Sequence, residues 1–106
     1  MLEIEYLPEE GEYVQVDSQP RIIKEVPPEY PLKALEKMTE GKVIVAVLVD
    51  TDGKVVQAKI ATSSGTDVGF EEAALGAAYN NIYRPGIQNG KPVPLWIYYP
   101  VYFRIK

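Results

Sequence analysis

The order helix–strand–hairpin–strand–helix–strand predicts an α+β fold, two helices packed on a small three-stranded, mostly antiparallel sheet, with N-terminal strands available to extend it. Three observations carry this. Residues 43–49 read VIVAVLV, apolar on both faces and rich in β-branched side chains, the pattern of a central strand buried on both sides. Asp50-Thr51-Asp52-Gly53 then supplies a hairpin turn, with Gly53 free to take positive φ. Phe70, Ala73, Ala74 and Ala77 recur at i, i+3, i+4 and i+7, one face of an amphipathic helix.

Taken in order, Leu2, Ile4 and Tyr6 alternate with Glu3 and Glu5 as a short strand, which Pro8 to Gly11 break. Residues 13–16 offer a second strand, and Pro20, Pro27 and Pro28 punctuate an extended run at 21–26. Pro31 suits the first turn of a helix, where its missing N–H costs nothing. Leu32, Leu35 and Met38 give that helix an apolar stripe over about two turns, and Gly41 stops it. Residues 55–62 return from the hairpin with Val56, Ala58 and Ile60 on one face and Gln57 and Lys59 on the other. The 63–67 loop ends in capping residues and leads into the second helix, which Asn80-Asn81 close. Tyr83 to Gly86 turn the chain, and Asn89-Gly90 is a strong hairpin signal. The last strand spans 95–105, with Leu95, Ile97, Tyr99, Val101, Phe103 and Ile105 on one face and Trp96, Tyr98, Pro100, Tyr102 and Arg104 on the other. The strands before and after the second helix run parallel and flank 43–49 on either side, which leaves the last strand at an edge.

At 106 residues, with 46% hydrophobic and 25% charged side chains, the chain suits one globular domain. It has no cysteine and no histidine, which removes disulfides, thiol chemistry, the commonest general base and the commonest metal ligand. Neither an enzyme site, a metal site nor a cofactor is expected. The charge is uneven. Residues 1–20 carry six acidic side chains and no Lys or Arg, a net of −6; the rest carry all 11 basic and 9 acidic residues, a net of +2 within the total of −4. The acidic front keeps the chain soluble or meets a basic partner, and a nearly neutral remainder without a basic block argues against nucleic acid. The longest uncharged stretch, 92–103, is twelve residues with three prolines, against the ~20 apolar residues a spanning helix needs. The acidic start does not read as a signal peptide.

Several short motifs stand in sequence: Tyr30-Pro31, Glu40-Gly41-Lys42-Val43, Val49-Asp50-Thr51-Asp52-Gly53-Lys54-Val55, Ser63-Ser64-Gly65, Phe70-Glu71-Glu72-Ala73-Ala74, Tyr83-Arg84-Pro85-Gly86, Asn89-Gly90-Lys91-Pro92-Val93 and a final aromatic strand. None is specific alone, but in this order and spacing the chain resembles the TonB C-terminal domain family over residues 20–106, with 1–19 as an acidic arm. The resemblance implies a periplasmic energy-transduction domain of Gram-negative bacteria. Its implied partner is the TonB box of outer-membrane transporters, which adds a strand to the last strand. It further implies an upstream linker and an inner-membrane anchor working with ExbB–ExbD on the proton gradient. The chain then reads as an excised domain or an unanchored relative. The stretch before Tyr30-Pro31 approaches the transporter in some relatives, where a glutamine stands near the position of Pro27. That makes Pro28, Glu29, Tyr30 and Pro31 candidate partner contacts, although Pro27 and Pro28 depart from the pattern, and Tyr30-Pro31 also reads as a helix-start staple.

The physical basis of capture is an edge strand's row of unpaired N–H and C=O groups, which an extended peptide can match. Pro100 is tolerated in a strand mainly at an edge with its missing donor outward. Residues of its parity, Tyr98, Tyr102 and Arg104, then face the open side, while Tyr99, Val101 and Phe103 bond inward. The candidate partner-binding segment is Trp96, Ile97, Tyr98, Tyr99, Pro100, Val101, Tyr102, Phe103 and Arg104. The alternative is a structural or sensory module that dimerises through the same edge, with no transporter partner. In another reading, the acidic arm covers the aromatic edge and must be displaced. Other motifs have blander explanations. Asp50-x-Asp52-Gly53 opens like a calcium loop, but the twelfth position is Ala61. Ser63-Ser64 lacks an activating base, and Glu71-Glu72 are adjacent on a helix and do not share a face.

Overall fold

The computed structural model describes residues 7–106; the strand expected at 2–6 lies outside them. In chain order the elements are β1 (Arg21–Lys24), α1 (Leu32–Glu36), β2 (Gly41–Val49), β3 (Val55–Thr62), α2 (Phe70–Ala78), β4 (Ile82–Arg84), β5 (Gly86–Gln88), β6 (Lys91–Val93) and β7 (Leu95–Phe103). The main sheet has the order β3-β2-β7, with β2 antiparallel to both neighbours. The central strand is therefore the VIVAVLV segment, and β7 is at the edge.

The core lies on one face of this sheet. Val43, Val45, Val47 and Val49 of β2 meet Val101 and Phe103 of β7, Ala34 of α1, and Phe70, Ala74 and Ala78 of α2. Phe70 and Phe103 stack with ring centroids 4.4 Å apart, and Tyr30 meets both edge-on at 5.8 and 5.7 Å. Gly41 is needed here, because a Cβ on it would stand 2.8 Å from the Phe70 ring. On the other face of β2, Ala46 and Leu48 are also fully buried, as expected for a strand covered on both sides.

Several expectations are corrected. Residues 13–16 form no strand; the arm instead touches the domain at Ser18, which bridges to Ile87. Tyr83 to Gly86 do not simply turn the chain. Residues 82–84 are β4, paired antiparallel with β1, because the apolar Ile22 and Tyr83 can face each other across a two-stranded ladder. Val56 does not share the inward face with Ala58 and Ile60. The register skips it between Val49↔Val55 and Leu48↔Gln57, so the bulge sends Val55 into the core and leaves Val56 exposed. The second helix has no side-chain cap. Its N-cap is Gly69 at φ 100, which Pro31 crowds too closely for an easy Cβ. α1 is only five residues long, ending before Met38 at φ 54, and β7 stops at Phe103 rather than 105. The Asn89-Gly90 hairpin forms as expected: both residues have positive φ, 50 and 79, between β5 and β6.

Candidate functional site: the open edge of the sheet

The register across β2 and β7 pairs Gly41↔Phe103, Val43↔Val101, Ile44↔Pro100, Val45↔Tyr99, Ala46↔Tyr98 and Leu48↔Trp96. A hydrogen-bonded antiparallel pair exchanges two N–H···O bonds. Pro100 has no N–H to exchange, so Ile44↔Pro100 falls at a non-hydrogen-bonded position. Tyr99 and Val101 then bond inward to β2. Trp96, Tyr98, Pro100 and Tyr102 direct their backbone groups away from it. Among the described residues no strand pairs with β7 on that outer side.

Two stretches of chain run beside this edge without pairing with it. Glu25, Pro27 and Pro28 face residues 99–102 across a groove of about 400 Å³. Two of those three residues are prolines, which cannot donate to a ladder, so this segment is unsuited to closing the edge itself. Farther along, residues 11–14 face Leu95, Trp96 and Tyr98 across a second groove of about 330 Å³.

A buried polar cluster fixes the first groove's wall. Asn81 is 2% exposed, and its Oδ1 accepts the Val26 N–H at 2.8 Å. The Tyr99 hydroxyl donates to Glu25 Oε1. Burial foremost, then this bond and the Glu25 charge, push the Tyr99 phenol far above its ordinary pKa. Tyr83 is pushed up as well, by burial, which outweighs a lowering from Asn81; the Glu25 charge adds a smaller upward push. The Asn81 amide lies near enough to both phenols to lower their pKa. Yet Asn81 Nδ2 and the Tyr83 hydroxyl are buried without a well-formed hydrogen bond.

The side chains of β7 divide as the alternation requires. Leu95, Val101 and Phe103 are buried, and Ile97 and Tyr99 pack against the core. Trp96, Tyr98 and Tyr102 lie on the opposite face, together with three cations. Lys59 sits 5.5 Å from the Trp96 ring centroid, and Lys42 and Arg104 sit 5.6 and 4.9 Å from that of Tyr102. The arm reaches this face. The Trp96 Nε1–H donates to the Pro8 carbonyl at 2.7 Å, and the Tyr98 hydroxyl donates to Glu10 Oε2 at 3.2 Å. Glu10 also pairs with Lys59 at 3.7 Å. Its bond, and then its charge, raise the Tyr98 pKa.

Of the four residues around Tyr30-Pro31, Pro28 lines the first groove. Tyr30 turns inward: its ring packs on Phe70 and Phe103, and its hydroxyl donates to the Thr39 carbonyl at 2.6 Å. Pro31 precedes α1 and abuts Gly69, and Glu29 is exposed. Sequence reasoning missed Glu25, Asn81, Pro8 and Glu10. Asn81 carried only a helix-end signal, nothing in the pattern marks Glu25, and Pro8 and Glu10 stood out only as a strand breaker and as charge of the acidic arm. Among the described residues no group of three or more Asp or Glu side chains converges as a metal would require. No helix among them is long and apolar enough to cross a membrane.

Residues 26–105 match the family described as Gram-negative bacterial TonB protein C-terminal. A curated relative, Protein TonB of Vibrio cholerae serotype O1, is 29% identical over 93 residues, covering 88% of this chain. The match takes in 38% of that relative's length. The solution NMR structure of the Pseudomonas aeruginosa TonB CTD superposes with a TM-score of 0.68 at 24% identity, covering 85% of this chain and 90% of that one, a likeness of fold.

Proposed function

The chain belongs to the Gram-negative bacterial TonB C-terminal family, and from that premise we propose that it captures the TonB box of outer-membrane transporters by strand addition at the β7 edge. In this reading residues 20–106 are the working domain in the periplasm. A membrane anchor upstream couples it to ExbB–ExbD, and energy from the proton gradient reaches the transporter as a pull on the captured strand. The observation that carries the reading is the run of outward-facing backbone at Trp96, Tyr98, Pro100 and Tyr102, beside a wall whose prolines cannot fill it. Pro28 at that wall is the nearest of the 28–31 contacts, exposed Glu29 is free to meet the partner, and Tyr30 and Pro31 hold the segment against Phe70, Phe103 and Gly69.

The edge offers four outward carbonyls and three outward N–H groups, Pro100 supplying only an acceptor. Seven bonds at ~0.5–1.5 kcal/mol each give about 3.5–10.5 kcal/mol. Ordering the peptide takes back ~2–5 kcal/mol. A box peptide alone therefore binds no tighter than about micromolar. Titrating a synthetic box-like peptide into the labelled chain and following backbone resonances tests this. Shifts along residues 96–103 and at Glu25 to Pro28 support capture. An unperturbed spectrum at millimolar peptide refutes it. The same edge also suits pairing with a second copy, and light scattering that shows a concentration-dependent dimer in peptide-insensitive protein favours the self-association reading.

A further inference from the structure

A second surface stands apart from the strand edge and does not depend on it. The outer face of the β3-β2-β7 sheet carries aromatic rings capped by cations, Lys59 over Trp96 and both Lys42 and Arg104 over Tyr102. Beneath them Ala46 and Leu48 are fully buried. In a chain of net charge −4, this concentration of positive charge on aromatic ground is a local exception. Part of the face is occupied by a β-turn of the chain's own arm. The Glu12 N–H donates to the Glu9 carbonyl at 3.0 Å, and Gly11 at φ 85 takes the third position, where positive φ is required. Pro8 is buried next to Trp96, and Glu10 joins Lys59 and the Tyr98 hydroxyl.

The contacts of the turn define what the face accepts: a proline carbonyl for the indole N–H, and a carboxylate placed between an ammonium and a phenol. They cover only the Trp96 end. Lys42 and Arg104 at the Tyr102 end form no ion pair among the described residues. A cavity of about 500 Å³ extends from Glu10 past Lys59 and Ile44 towards Thr62. Beyond what the described residues cover, an acidic segment longer than this turn has cationic and aromatic ground to reach.

We infer that the outer face of the β3-β2-β7 sheet is a docking surface for an acidic, turn-forming peptide segment of another protein, which the arm's turn at residues 9–12 occupies in cis. The turn is attached by one half-exposed ion pair, two hydrogen bonds and the buried Pro8 beside Trp96, and its polar contacts are individually weak enough to exchange. A competing acidic segment meets a face whose vacant fraction scales its apparent affinity.

Trp96 is the only tryptophan, so its emission reports the face directly. The probe is the synthetic peptide LPEEGEYV, copied from residues 7–14, together with a control in which its three Glu are Gln. Both are titrated into the full chain, into Glu10→Lys and into Lys59→Glu. The expected result is a saturable Trp96 response to the acidic peptide, tighter in Glu10→Lys than in the unaltered chain by roughly threefold or more. The response weakens with added salt, and it is lost with the Gln peptide and in Lys59→Glu. No response in Glu10→Lys, or equal responses to the acidic and Gln peptides, overturns the inference. Binding of phosphatidylglycerol vesicles that the peptide does not displace also overturns it, in favour of a lipid surface.

Discussion

Replacing Tyr102 by proline and replacing its neighbour Val101 by proline should have opposite consequences. The register sets Val101 against Val43 in a hydrogen-bonded pair and Tyr102 against Lys42 in a non-hydrogen-bonded one. Val101→Pro removes an inward donor and leaves the Val43 carbonyl buried without a partner. That costs about 1–3 kcal/mol in addition to the lost bond, a large share of the ~5–15 kcal/mol that holds a domain of this size. Tyr102→Pro removes only an outward donor, as Pro100 already does two residues earlier, and the fold tolerates it. With Tyr102→Ala as the reference for the missing ring, the proline variant should bind a box peptide about 0.5–1.5 kcal/mol more weakly, one bond of the seven. That is a factor of roughly 2–13 in Kd. Urea unfolding reads the first quantity and calorimetric titration the second. If Tyr102→Pro unfolds the chain as Val101→Pro does, the inward–outward parity is wrong. If it binds peptide as tightly as Tyr102→Ala, no strand pairs there.

Gly53 takes φ 84, and a Cβ on it would stand 1.8 Å from the Tyr83 carbonyl oxygen, so Gly53→Ala should cost at least ~1 kcal/mol and lower Tm by roughly 4–8 °C or more in a thermal melt. Phe103→Ala empties the place where Phe70 stacks and Tyr30 leans edge-on, and it should cost about 3–5 kcal/mol by urea denaturation. Burial alone would raise the Glu71 pKa, but the Ser64 side chain and N–H, the Glu71 N–H and the Ser63 hydroxyl together outweigh it and hold the carboxyl below its ordinary 4.5. Its contribution to stability is therefore present above that value and is lost as pH falls through the depressed one. Urea midpoints measured down the acid limb should fall less steeply for Glu71→Gln.

The parts of the fold that hydrophobic pattern determines were legible in the sequence. An apolar run such as 43–49 has one low-energy place, between two other strands, and the Asp50 to Gly53 turn then dictates where β3 returns. Pro100 went further, because a missing donor on a strand has a direction, and that direction marked the open side. Pattern said nothing where a single polar contact decides. The Val26 N–H finds Asn81 fifty-five residues away, and no local periodicity encodes that pairing. The β1–β4 ladder joins two segments only three or four residues long, too short to show alternation. The Val56 bulge and a second register shift between Ile60 and Thr62 interrupt the alternation of a strand only eight residues long. The acidic arm was visible as charge alone; that its Glu10 would meet Lys59 on the sheet's outer face depended on a turn at Gly11, whose breaker signal gave no destination.

Amide hydrogen exchange along β7, with and without box peptide, tests strand capture most directly. The inward N–H groups of Tyr99, Val101 and Phe103 should be protected in both states, while those of Tyr98 and Tyr102 exchange rapidly in the free chain and become protected on binding. Protection of Tyr98 and Tyr102 in the free chain, or rapid exchange that saturating peptide does not slow, would contradict it.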